Sequence, residues 1–145
     1  MAGRILANEA WEALLSAHAA LMRQFAAQDI WQDLSMREYD VLYTLAKCPA
    51  PQRMSELNRH LLLSQPALSR MVDRLVDRGL VQRQTDPADG RGVLLALTDA
   101  GRALQHQIGS RHARGVARAM TRELTPVELR QLEAICLKLA GSPDT

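Results

Sequence analysis

The sequence predicts a mainly α-helical fold with one small β-hairpin, and three observations carry that expectation. Apolar residues recur at steps of three and four over most of the chain. Helix-start signals stand at Ser35, Ser64 and Thr125, each followed within three residues by Glu or Pro. Between Met54 and Thr98 a short helix, a turn, a longer helix and two short strands follow without a break. That succession is the plan of a winged helix-turn-helix, which lays one helix in the DNA major groove and a β-loop against backbone or minor groove.

The elements follow in order. Trp11, Leu14, Leu15, His18, Leu21, Met22 and Phe25 line one side of a first helix from about Asn8 to Gln28. Ser35 and Glu38 form a capping box that opens a second, which Cys48-Pro49-Ala50-Pro51 stops. Ser55 is expected to cap a short third helix, Glu56 to Leu61, and Leu62-Leu63 to turn the chain. Ser64 caps the fourth, with Pro66 in its first turn and Gly79 as a left-handed end. Leu80–Gln84 and Val93–Leu97 read as strands. The seven residues Thr85 to Arg91 are too many for a two-residue turn, so they are expected to project as a wing. Thr98 opens a fifth helix to about Arg122, whose continuity Gly109 and Gly115 weaken. Thr125, Pro126 and Glu128 open the sixth. No repeat or linker interrupts the chain, so one domain spans 1–145.

Composition bounds the function loosely. A chain of 145 residues, 47% hydrophobic and 23% charged, suits a folded globular protein. No apolar run reaches the ~20 residues of a membrane helix, and Met1–Leu6 lack the apolar core of a signal peptide. The expectation is a cytoplasmic protein with no membrane partner. Cys48 and Cys136 stand far apart, without ligand spacing, and suggest neither a disulfide nor a zinc site. The net charge of +2 is too small to announce nucleic-acid binding. All but Lys47 and Lys138 of the 18 basic residues are arginine, a bias that GC-rich coding also produces.

Wound at 100° per residue, the fourth helix turns Leu68, Met71, Val72, Leu75 and Val76 inward and Pro66, Arg70, Asp73 and Asp77 outward. The start of the outward face is small and neutral or basic: Ser64, Gln65, Pro66, Ala67, Ser69, Arg70. Small residues admit close approach, free amides favour phosphate, and Gln65 and Arg70 suit adenine and guanine edges. Asp73 and Asp77 would repel a backbone at the other end. Alone, such a face is also that of an ordinary solvated helix. Arg91 on the projecting loop, with Asp89 placed to pin its guanidinium, tips the reading toward DNA.

The run Leu62-Leu63-Ser64-Gln65-Pro66-Ala67-Leu68-Ser69-Arg70-Met71-Val72-Asp73-Arg74-Leu75-Val76-Asp77-Arg78-Gly79-Leu80-Val81 carries a resemblance. With Asp86-Pro87-Ala88-Asp89-Gly90-Arg91 and Leu97-Thr98-Asp99-Ala100-Gly101, it is similar to the signature of the MarR-type (multiple-antibiotic-resistance regulator) transcription factors. The flanking helix order matches along essentially the whole chain. The resemblance implies a homodimer on double-stranded DNA with a pseudo-palindromic operator. Helices within about 1–34 and 99–145 would interlock, and the winged lobe, about 35–98, would meet the duplex, its two recognition helices ~34 Å apart. Residue by residue, it assigns recognition-helix contacts to Ser64, Gln65, Pro66, Ala67, Ser69 and Arg70, phosphate to Arg74 and the minor groove to Arg91, which Asp89 supports. Gly90 departs from the family, which usually has a second basic residue there.

Relatives of this type often release DNA on binding a small ligand. The resemblance therefore implies a small aromatic or lipophilic anionic effector, with His18, Met22, Trp31, Tyr39 and Tyr43 as candidate pocket residues. The alternative is that these five are core or hinge residues. Cys136 falls on the apolar stripe of the sixth helix and is expected to be an inert core thiol, while Cys48 is expected nearer the surface. His106 and His112 lie on different helix sides, so neither a metal nor another cofactor is expected. The expected function is a sequence-specific regulator, a homodimeric repressor released by a ligand. A winged-helix module that binds a protein instead of an operator is the alternative. No catalytic motif is present.

Overall fold

The computed structural model describes residues 1–141, so the last four positions of the expected 99–145 segment lie outside the described residues. Its order is α1 (Ala2–Ala26), α2 (Met36–Lys47), β1 (Gln52–Arg53), α3 (Met54–Leu61), α4 (Gln65–Asp77), β2 (Val81–Asp86), β3 (Asp89–Leu97), α5 (Asp99–Glu123) and α6 (Pro126–Ala140). This is the predicted winged helix-turn-helix order, mainly helical with a small antiparallel sheet. Contacts divide the chain into two units: Ala26–Arg111, and Met1–Phe25 with the chain from His112 onward.

In the first of these, sequence signals act as local chemistry requires. Ser35 Oγ accepts from the Glu38 amide, and Glu38 Oε1 accepts from the Ser35 amide, both at 3.0 Å. This satisfies donors that the helix start leaves without partners. Ser64 Oγ takes the Ala67 amide at 3.3 Å. At the far end of α4, Gly79 (φ +72°) lets the Leu80 amide reach Leu75 O at 2.9 Å and its own amide reach Val76 O at 2.9 Å. Those two bonds are a Schellman motif. The apolar faces then meet: Val41, Leu42, Leu57, Leu68, Val72, Leu75, Val81, Leu95 and Ile108 are fully buried. Each is worth about 1.5–3 kcal/mol relative to an exposed position.

The turn between α3 and α4 is held by one side chain. Leu62 is left-handed (φ +53°), which a β-carbon resists. Asn58 overdetermines it. Its carbonyl takes the Leu62 amide at 3.0 Å, its Oδ1 takes the Leu63 amide at 2.9 Å, and its Nδ2 donates to Leu63 O at 2.7 Å.

The sheet order is β1-β3-β2, all antiparallel. Thr98 and Gly101 join it to α5. Thr98 Oγ1 donates to Gly79 O at 2.6 Å and accepts the Gly101 amide at 3.0 Å, while the Thr98 amide donates to Leu80 O at 3.1 Å. A β-carbon on Gly101 would sit 2.9 Å from the Leu80 carbonyl carbon and closer still to its oxygen. Only glycine lets α5 begin against that carbonyl.

Several sequence expectations are corrected. Helix α1 starts at Ala2, six residues before Asn8, and ends at Ala26. Its first residues, Ala2 to Ala7, continue the helix with Ile5 and Leu6 left exposed. Arg53, not Ser55, occupies the N-cap of α3 and makes no side-chain cap. Pairing of Gln52 with Leu95 and Arg53 with Leu94 brings the chain into the helix two residues early. Helix α5 is continuous through both glycines; Gly109 sits where a β-carbon would be 3.0 Å from Tyr39 Oη.

In the other unit, Phe25 is buried and meets His112 edge-on, with ring centroids 5.3 Å apart. Helix α6 buries nothing. Ile5, Leu6, Trp11, Leu14 and Leu15 of α1 and Val127, Ile135, Leu137 and Leu139 of α6 are exposed. Cys136 is exposed as well, which overturns the expectation of a core thiol. The helical period identified its face as apolar; along it Leu129 and Leu132 are half-buried, while Cys136 and Leu139 are exposed. Cys48 is half-buried.

Candidate nucleic-acid interface

Helix α4 presents the start of its outward face to solvent. Ser64, Gln65, Pro66 and Arg70 are exposed, and Ala67 and Ser69 are partly so. The Ser64 cap fixes where these residues begin, and burial of Leu68, Val72 and Leu75 fixes their rotation about the helix axis. The outward rotation of this face expected from the sequence agrees with the geometry. Arg74, expected to reach phosphate, has its Nε 3.6 Å from Glu38 Oε2, with 54% of the side chain exposed. The carboxylate that caps α2 thus also orients a cation on α4.

Asp73 is not a free negative charge at the far end of α4. It pairs with Arg83 of β2. The sequence reading missed this tie because it needs the register of β2 against α4, which no local pattern encodes.

The hairpin differs most from expectation. Its strands run on to Asp86 and from Asp89, leaving only Pro87 and Ala88 as the turn. Asp86 faces Asp89 and Thr85 faces Val93, so Gly90, Arg91 and Gly92 form a bulge with no opposite residues. Bulges absorb surplus residues while keeping the ladder, which is why seven turn-forming residues do not make an open loop. Arg91 is exposed on this bulge, and Gly90 has open space around it. Asp89 does not pin the Arg91 guanidinium. Its Oδ1 takes the Arg91 backbone amide at 3.1 Å, a support of the main chain alone.

Asp86 was read only as a turn former. It is 7% exposed, with Oδ1 on the Ala88 amide at 2.9 Å and Oδ2 on Arg53 Nη2 at 2.6 Å. The Ala88 amide first, and then the Arg53 guanidinium, hold its carboxyl below the usual carboxylate range. An Asp-Pro pair signals a turn; only the fold shows that the same carboxylate receives a cation 33 residues away.

The five candidate pocket residues do not all fall in one unit. Trp31, Tyr39 and Tyr43 form an aromatic row, with centroids 5.4 and 6.1 Å apart, that ends with Lys47 Nζ 5.2 Å from the Tyr43 ring centre. Burial pushes the Tyr39 hydroxyl up. His18 and Met22 lie on α1, in the other unit.

Comparison with known proteins agrees with this geometry. The MarR family model matches residues 32–92. The multiple antibiotic resistance protein MarR of Escherichia coli (strain K12) is 35% identical over 107 residues, 74% of each chain. A mutant MarR from E. coli complexed with operator DNA has a TM-score of 0.76 and 29% identity, covering 90% of this chain and 92% of that one. A MarR family transcriptional regulator from Streptomyces coelicolor, in complex with DNA, has a TM-score of 0.78 and 29% identity, covering 92% and 84%. The order of elements, the exposed start of α4, the arginine-bearing hairpin and these likenesses converge: the chain belongs to the MarR family of winged helix-turn-helix transcriptional regulators.

Proposed function

We propose that this regulator is a cytoplasmic homodimeric repressor that reads a pseudo-palindromic operator and leaves it when a small aromatic or lipophilic anion binds. The observation that carries the reading is the face at the start of α4, exposed, free of acidic side chains, and in the same unit as the Arg91 bulge. Ser64, Gln65, Pro66, Ala67, Ser69 and Arg70 are the proposed groove contacts, Arg74 a phosphate contact, and Arg91 the minor-groove contact, with Asp89 shaping its backbone. The DNA-bound relatives support this reading. The exposed large apolar residues of α1 and α6 support the dimer, because a partner would take them out of water. Trp31, Tyr39 and Tyr43 are the proposed effector contacts. No catalytic role is proposed.

The test is a gel shift with the duplex covering the promoter nearest its own gene, against a scrambled duplex. The expected result is a preference for the promoter that weakens steeply with salt. Arg70→Ala should cost about 1–3 kcal/mol and relax the preference. Equal binding to both duplexes would favour a protein-binding module and sink the operator reading.

A further inference from the structure

We propose that Arg53 is a positioning residue for DNA contact by the wing: it ties the tip of the hairpin to the start of α3, so that Arg91 is offered to the duplex at a fixed reach. The inference rests on the reading of Arg91 as a groove contact and goes beyond it by adding a residue that acts through Arg91.

Arg53 is held at its backbone by pairing with Leu94 of β3 and by serving as the N-cap residue of α3. Since its side chain makes no cap, the guanidinium is free to turn toward the hairpin, where it donates to Asp86 Oδ2 at 2.6 Å. Asp86 uses its other oxygen on the Ala88 amide, closing the two-residue turn. The bulge then rests on the same side chain. A β-carbon at Gly92 would stand 3.2 Å from Asp86 Cβ, so that residue packs directly against it. Within the bulge, Asp89 Oδ1 fixes the Arg91 amide.

A second tie, Arg83 of β2 to Asp73 of α4, holds the hairpin nearer its root. The two ties bracket the hairpin, and Arg53 is the one at the tip. Removing its guanidinium leaves the nearly buried Asp86 carboxylate with backbone partners alone. A carboxylate so placed turns toward water rather than stay half-satisfied, and the bulge that leans on it shifts with it.

The experiment is a double-mutant cycle on the full chain: wild type, Arg53→Gln, Arg91→Ala and the double variant. Each is titrated by fluorescence anisotropy onto the promoter duplex at several salt concentrations, with thermal unfolding as the folding control. Arg91→Ala should lower affinity about tenfold, and Arg53→Gln about fivefold while Arg91 is present. In the Arg91→Ala background, Arg53→Gln should change affinity less than about twofold, because coupled residues are non-additive. Arg53→Lys, which retains a cation for Asp86, should recover most of the loss.

An Arg53→Gln effect that persists undiminished without Arg91, with a shallower salt slope, would mean that Arg53 touches phosphate itself and would overturn the proposal. No effect in either background would overturn it too. Hydrogen exchange at the Gly90 and Arg91 amides separates the two levels of the argument. If wild type prefers no duplex yet Arg53→Gln speeds exchange there, the operator reading has failed and the tie survives. If the promoter is preferred but exchange is unchanged, the tie itself is refuted.

Discussion

Gly101 illustrates how a single position can be dictated from outside its own helix. It lies in the first turn of α5, where alanine would be favoured by about 1 kcal/mol on helix propensity. The Leu80 carbonyl forbids it, because a β-carbon would overlap backbone rather than the movable end of a side chain. Gly101→Ala is therefore expected to destabilise the fold by about 2–3 kcal/mol in urea unfolding, as overpacking does. Gly3→Ala, with nothing within 4 Å, should cost nothing. At this scale the sequence was legible where one side chain serves its own backbone neighbours, as at Ser35, Ser64 and Thr125. It was not legible at Arg53, Asp73 and Asp86, whose partners are chosen by strand register rather than by spacing along the chain.

The hairpin is the element on which sequence and structure differ most, and the cause is a bulge. Counting turn formers between apolar runs predicts a long loop; pairing Asp86 with Asp89 and expelling Gly90, Arg91 and Gly92 gives a short turn instead. The fourth helix was read correctly because its cap, stripe and stop signals all agree. The pairing also sets how the wing responds to acid. The Asp86 carboxyl is held below its ordinary value by the Ala88 amide and then by Arg53. Its stabilising effect is thus complete above the unfolded value of about 3.9 and is lost as pH falls through the folded value. Protection of the Ala88 and Arg91 amides, taken relative to their intrinsic exchange rates at each pH, should fall in acid in the wild type. Asp86→Asn should show low protection already at neutral pH and little further change in protection on acidification.

For the whole molecule, helical periodicity established which faces are apolar but not what covers them. Cys136 shows the difference: its stripe was read correctly, and its burial was not. The same exposed faces lead to a prediction for the proposed dimer. Sedimentation equilibrium should give twice the 16.1 kDa of the chain. Ile135→Asp, placing a charge on an exposed apolar position of α6, should shift the mass toward one chain and weaken operator retention together. The junction at Thr98 carries a consequence for control. Two carbonyls at the end of α4 accept from this one residue, whose hydroxyl in turn starts α5. Helix α4 therefore has no swivel of its own at that end. A signal that alters where it lands must carry the opening turn of α5 along with it, as a key turns with its bow.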